Sequence, residues 1–189
     1  HYDFIDLLKK KGEDQYAKIL LNLYKKIEKS SLVWIRQHKQ TGLGSATYLT
    51  KNVIGDKPFL FHAGDLYIPQ PKYINDMIGI HKKFKPTATL GIKKVAEPRQ
   101  YGVAEFGKKY GSTFQIKHVV EKPKNPPSNF ILTGVNIFEP EIFDAIKKTK
   151  KSVNNEIQLT DSIEYLIKQN KVVLASKMKS NDICIDIGT

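Results

Sequence analysis

Four strand signals follow one another between residues 87 and 138, at 87–95, 101–106, 114–121 and 130–138, and no helical pattern separates them. Such a run predicts a sheet with an antiparallel excursion, because short loops join antiparallel strands directly. Around it the period changes. Tyr16, Ile19, Leu20, Leu23 and Ile27 recur at helical spacing within 14–29, and Tyr73, Met77 and Ile80 share one helical face within 70–83. Further helices are expected over 45–52, 140–147 and 159–169, with Pro140 suited to a first helical position. Strands are expected at 31–36, 58–63, 172–175 and 183–187. Strands alternating with helices predict an α/β fold rather than an all-β sandwich. With no repeat, low-complexity stretch or linker in view, 1–189 reads as a single domain. It starts at His1 rather than Met and stops on what reads as an unfinished strand and turn, so both ends read as cut.

Composition narrows the function classes. A hydrophobic content of 40% with nine Phe and nine Tyr belongs to a folded chain. Cys184 stands alone, so neither a disulfide nor a cysteine-based zinc site forms within one chain, which suits a reducing cytoplasm. No apolar run reaches the ~20 residues of a membrane span, and nothing at the start reads as a signal peptide. The net charge of +12 invites a nucleic-acid reading. Yet Arg36 and Arg99 are the only arginines, and the lysines fall in short runs on helical segments, the pattern of solvated faces. An anionic small substrate accounts for the charge equally well, so no nucleic-acid partner is expected.

Four places in the chain could carry chemistry. Gly64-Asp65 closes the apolar strand Phe59-Leu60-Phe61-His62-Ala63, at the carboxyl end of a strand where open α/β sheets bind ligands. Asp65 there either holds Mg²⁺ against a phosphate or caps a turn. Asp186 interrupts the apolar stretch Ile183-Cys184-Ile185 before Gly188, where a carboxylate needs a metal, a partner or backbone amides. Gln37, five residues before Gly42, offers a donor and an acceptor to a pyrimidine edge, and glycine admits close approach; a merely solvated glutamine is the alternative. Glu121-Lys122-Pro123 ends a strand with a carboxylate for sugar hydroxyls and an ammonium for a phosphate, or is simply an exposed strand end. Tyr101-Gly102 opens another strand, with a glycine that could admit a hexose or a tyrosine that joins the core. The histidines form no helical metal pair, and neither a P-loop nor a Gly-x-Ser-x-Gly elbow is present, so nothing argues for covalent catalysis.

Taken in order, these blocks resemble the sugar-1-phosphate nucleotidylyltransferases. Ile35-Arg36-Gln37, Gly42-Leu43-Gly44-Ser45-Ala46, Gly64-Asp65, Tyr101-Gly102-Val103, Val120-Glu121-Lys122-Pro123, Ser128-Asn129 with Thr133-Gly134, Glu156-Ile157-Gln158-Leu159-Thr160-Asp161 and Asp186-Ile187-Gly188-Thr189 carry the likeness. The lysine-rich first helix and the Gly-Leu-Gly turn are similar to the UTP–glucose-1-phosphate uridylyltransferases in particular; glucose-1-phosphate thymidylyltransferases share most of the blocks. The resemblance implies a Rossmann-like mixed, mostly parallel sheet flanked by helices. It implies Mg²⁺-dependent attack of glucose 1-phosphate on UTP, giving UDP-glucose and pyrophosphate, a chemistry of positioning and charge neutralisation. By position, Asp65 and Asp186 would bind the metal and Lys122 the sugar phosphate. Gln37 and Gly42 would read the pyrimidine. Gly64, Tyr101, Gly102, Glu121, Leu132 and Thr133 would line the substrate, and the Gln-Leu-Thr-Asp block would be mainly structural. A cytoplasmic homo-oligomer is the family's expectation.

The chain also departs from the pattern. The family's glycine-rich phosphate loop and the first strands of its sheet have no counterpart here, Ser45 stands where the uridylyltransferases carry a histidine, and Leu66 follows Gly64-Asp65. A non-catalytic regulatory subunit on the same fold is therefore the competing expectation.

Overall fold

Two helices open the chain, α1 (Tyr2–Lys10) and α2 (Asp14–Glu28), joined at Gly12, whose φ of +76° supplies the left-handed turn. Only α2 was legible as a helix in the sequence. The computed structural model describes residues 2–152 and 154–188; Thr189 of the last sequence block lies outside them. The chain packs as two compact units, His1–Arg36 and Gln37–Thr189. In the first unit Ile5 and Ala17 are buried, and the Tyr2 hydroxyl donates to Glu28 at 2.5 Å. The stripe of Tyr16, Ile19, Leu23 and Ile27 stays exposed. The strand expected at 31–36 does not form: among the described residues it has no ladder partner, and Trp34 is 91% exposed. Alternating apolar residues make a strand only when a neighbour accepts their backbone groups.

The second unit begins with two short helices, α3 (Leu43–Leu49) and α4 (Lys51–Ile54), in place of the single helix expected at 45–52. Then come β1 (Phe59–His62), β2 (Leu66–Tyr67), α5 (Pro71–Phe84), β3 (Ala88–Lys94), β4 (Gly102–Tyr110), β5 (Thr113–Glu121) and β6 (Phe130–Phe138). The last elements are α6 (Glu141–Lys148), α7 (Leu159–Lys168), β7 (Val173–Lys177) and β8 (Ile185–Asp186). Six strands form one sheet in the order β1-β6-β3-β7-β5-β4, with a further β6–β4 contact; β2 and β8 form a second, small sheet.

The fold is mixed α/β, as the pattern required, but the expectation of a mostly parallel sheet needs correction. β1, β3, β4 and β7 run one way and β5 and β6 the other, so most strands share a direction. Among the described strands of the sheet, however, only β3 and β7 are parallel neighbours. β6 inserts between β1 and β3, and β5 between β7 and β4, so every other contact is antiparallel.

Period-two alternation sends β3 to two cores. Ala88, Leu90 and Ile92 face α6 and α7, packing with Phe138, Phe143, Ile146 and Ile163. On the opposite face α5 brings Tyr73 and Met77 against Val135, Ile137 and Met178. His81 of α5 is buried between Thr89 Oγ1 at 3.0 Å and Glu139 Oε1 at 3.1 Å, a structural tie. Phe143 stacks on Phe59 with centroids 5.3 Å apart and rings 7° from parallel. Truncating a fully buried phenylalanine removes both transfer and packing energy, so Phe143→Ala should lower stability by about 3–5 kcal/mol. Urea denaturation of the variant checks this.

Candidate active site

β1 delivers Ala63, Gly64 and Asp65 to the mouth of the sheet. Ala63 N–H donates to the Gly134 carbonyl at 3.0 Å, extending the β1–β6 ladder by one rung. The chain then turns into β2, which pairs antiparallel with β8 so that Leu66 faces Asp186. That register sets Asp186, on β8, close to Asp65, the residue before β2. The Ile187 N–H donates to the Asp65 carbonyl at 2.8 Å, and a Cβ on Gly188 would lie 2.8 Å from Asp65 Oδ2. Glycine at 188 therefore leaves the Asp65 carboxylate its room. Asp186 was expected to need compensation for burial in an apolar strand, but β8 is two residues long and Asp186 is exposed. Its Oδ1 accepts the Gly188 N–H at 2.9 Å.

Both carboxylates line a cavity of about 250 Å³ together with Lys93, Tyr101, Leu132 and Thr133. Among the described residues neither aspartate is in an ion pair, and no cluster of three or more His, Cys, Asp or Glu could hold a metal. A two-carboxylate oxygen donor set open to a cavity fits Mg²⁺, which takes one or two protein carboxylates and fills the rest of its octahedron with water and phosphate oxygens. Cys184 lies on the same wall. Burial pushes its thiol up, Lys93 opposes the shift and Asp186 adds to it, so it is a poor nucleophile at neutral pH.

A second corner forms where β4 and β5 begin and end. Gly102 pairs with Glu121, and a side chain at Gly102 would sit 3.0 Å from Thr160 Oγ1, 3.2 Å from Glu121 Oε2 and 3.2 Å from Leu132. Thr160 Oγ1 donates to Glu121 Oε2 at 2.7 Å. Lys122 follows in a left-handed conformation, φ +42°, its N–H donating to the Tyr101 carbonyl at 3.0 Å. That backbone is strained for a lysine and turns the chain sharply at the end of β5. Tyr101 and Leu132 join this corner to the aspartate cavity; Glu121 and Lys122 are not on that cavity's wall.

The third corner holds Gln37 and Gly42. Gln37 Nε2 donates to the Gly42 carbonyl at 3.3 Å, which fixes the amide against its own loop. Gly42 has φ +94°, and a Cβ there would lie 2.6 Å from the Ile157 carbonyl oxygen; Gly44 faces the same backbone at 2.8 Å. Ile157 N–H donates to the Thr41 carbonyl and Gly44 N–H to the Ile157 carbonyl, each at 2.9 Å. The close approach that these glycines allow is thus to residues 156–157. Residues 156–161 brace two corners, touching Gly42 and Gly44 at one end and Glu121 at the other, which gives the Gln-Leu-Thr-Asp block its structural reason.

Sequence reasoning missed Thr160, Gly134 and Lys93 as parts of these corners. Thr160 was read only as part of the structural Gln-Leu-Thr-Asp block at an expected helix start, and Lys93 lay inside the strand expected at 87–95. Two adjacent lysines closing an otherwise buried strand, Ala88–Lys94, were the available signal.

Comparison with known proteins adds to this geometry. The family described as nucleotidyl transferase matches residues 12–189. A UTP–glucose-1-phosphate uridylyltransferase of Staphylococcus haemolyticus is 32% identical over 169 residues, 84% of this chain and 55% of the relative. The crystal structure of a UDP-glucose pyrophosphorylase complexed with UDP-glucose superposes with a TM-score of 0.82 at 30% identity, over 90% of this chain and 66% of that one. A UTP-bound enzyme of the same name from Acinetobacter baumannii shares the fold, with a TM-score of 0.79 at 23% identity over all of this chain and 66% of that one. The chain spans 55–62% of the length of the curated relatives it matches.

Two outcomes follow from these contacts. Gly42→Ala must move the Ile157 backbone and adopt a disfavoured φ, costing about 1–3 kcal/mol by thermal denaturation. The Asp161 carboxyl is held above its ordinary value, first by burial, then by the Glu121 charge, with Glu164 adding and Lys168 opposing. A raised folded value means the folded state holds this proton more tightly, so stability rises as pH falls through that value toward the unfolded carboxylate's. Asp161→Asn should remove this dependence and raise Tm at pH 7, read from Tm against pH.

Proposed function

The chain belongs to the nucleotidyl transferase family, and on that premise we propose that it works in uridylyl transfer from UTP to glucose 1-phosphate, giving UDP-glucose and pyrophosphate. The observation that carries this reading is the Leu66–Asp186 pairing, which brings Asp65 and Asp186 to one cavity wall beside Tyr101, Leu132 and Thr133. Relatives and structural neighbours named for this reaction support it.

Members of this family generally use a divalent metal ion, and Mg²⁺ is the one proposed here, held by Asp65 and Asp186. When bound, it neutralises phosphate charge and fixes the α-phosphate for in-line attack. The protein's own contribution is placement. The Lys122 ammonium, at the left-handed turn that ends β5, would pair with the sugar phosphate. Glu121 would accept bonds from sugar hydroxyls, kept in place by Thr160, and Gly102, whose missing side chain makes room for both of them, would present its backbone to the ring. Gln37, held against the Gly42 loop, would offer its amide to the uracil edge, with Gly64 leaving space beside Asp65. No residue here has to act as a nucleophile, because the sugar phosphate oxygen attacks directly and pyrophosphate leaves opposite.

No described helix is long and apolar enough to cross a membrane. A cytoplasmic location, small-molecule partners and a homo-oligomeric state complete the proposal.

The test is pyrophosphate release from UTP and glucose 1-phosphate by the protein carrying this chain, with dTTP, CTP and GTP as competitors for the assignment. Asp65→Asn and Asp186→Asn should each lower kcat by about 10²-fold or more, the scale of losing preorganised charge stabilisation. Chelation of the metal should do the same, and added Mg²⁺ should restore the wild type alone. Wild-type rates in both variants would refute the metal assignment.

A further inference from the structure

The parallel pair β3–β7 ends in cations. Lys93 and Lys94 close β3, Lys177 closes β7, and Lys179 lies two residues beyond. All four line a cavity of about 770 Å³ whose wall carries no carboxylate. In α/β sheets the carboxyl ends of parallel strands are where ligands bind.

Among the described residues none of the four is in an ion pair. Lys93 Nζ donates to the Cys184 carbonyl at 3.3 Å, and Lys177 Nζ stands 4.7 Å over the Phe130 ring. The carboxylate bonded into this segment, Asp182, accepts the Lys179 backbone N–H at 2.8 Å and lies off this cavity's wall, lining a neighbouring cavity with Asp76, Lys177 and Lys179. Gathered ammonium groups repel one another, and an anion among them reverses the sign of that energy.

This cavity borders the aspartate site. Lys93 and Val95 stand on both walls, and Lys93 is the one cation on the wall that carries Asp65 and Asp186. The lysine cavity shares no residue with the Gln37–Gly42 corner proposed for the base. We propose that the sugar 1-phosphate bound here carries a second acidic group, a carboxylate or a phosphate at the end of the sugar remote from C1. Lys93 is its first contact, and Lys94, Lys177 and Lys179 surround it. This rests on the reading of the aspartate cavity, joined to the Glu121–Lys122 corner through Tyr101 and Leu132, as the sugar-phosphate site. Glucose 1-phosphate remains a substrate, and the acidic derivative is the better bound one.

The test uses products, whose binding needs no ordered partner: UDP-glucose, UDP-glucuronic acid and the 6-phosphate of UDP-glucose, titrated calorimetrically into the protein with Mg²⁺. At least one acidic sugar should bind roughly tenfold tighter than UDP-glucose, the scale of one charge-assisted hydrogen bond, and the two derivatives distinguish a carboxylate from a phosphate. Lys93→Gln should erase that preference. Lys179→Gln should reduce it while leaving UDP-glucose affinity unchanged. Equal affinity for all three would overturn the inference and leave the transferase reading standing. Binding of none would overturn both. Loss of UDP affinity itself in Lys179→Gln would show that the lysines serve the nucleotide phosphates, which would also overturn it.

Discussion

The site hangs on a place where β6 steps over β3. Leu90 pairs with Asn136 and Ile92 with Leu132, so three residues of β6, Thr133, Gly134 and Val135, face Gly91 alone. Only a glycine fits beneath them: a Cβ at 91 would lie 2.4 Å from Thr133 Oγ1, 2.5 Å from the Val135 carbonyl and 2.7 Å from the Tyr73 hydroxyl. Tyr73 closes the step from the α5 side, its buried hydroxyl donating to the Ser176 carbonyl at 3.0 Å. Gly134, at φ +74°, completes the turn and receives the Ala63 N–H through its carbonyl. A bulge of this kind re-aims a strand. Here it gives Thr133 and Gly134 to the cavity and fixes the point at which Gly64 and Asp65 leave β1.

From that point the electrostatics follow. Asp65, just before β2, and Asp186, on β8, are neighbouring like charges, a combination that is costly unless a cation or solvent separates them. Their exposure to a cavity, the room that Gly188 leaves and the absence of an ion-pair partner among the described residues suit a metal-binding pair better than a structural one. On the same wall Lys93 presents the opposite sign, and Lys94 and Lys177 line the neighbouring cavity. Acidic and cationic groups thus line two neighbouring cavities that share Lys93 and Val95.

Rigidity comes from elsewhere. Residues 156–161 lock the Gly42–Gly44 loop through Ile157 and hold Glu121 through Thr160. They lead into α7, whose Ile163 and Leu166 are buried in the larger core. Two distant corners therefore share one support, and the cost of displacing it is the cost of disturbing the core.

Much of this was legible in the residues. The change of period around 87–138 determined an α/β sheet with an antiparallel excursion. The order of the glycine, aspartate and Glu-Lys blocks determined the family, because turn glycines and carboxylates at strand ends are local features that a chain displays without folding. Residues 31–36 misled for the complementary reason: Leu32-Val33-Trp34-Ile35 has strand composition, yet a strand exists only when another supplies its hydrogen bonds. Neighbour relations were equally invisible, so the sequence did not reveal that β6 lies between β1 and β3 or that β2 and β8 pair. Nor did it bring together Lys93, Lys94, Lys177 and Lys179, which lie as much as 86 positions apart. Strand identity is written in local composition; strand partnership, and therefore which charges meet, is a property of long-range packing that only the tertiary structure decides.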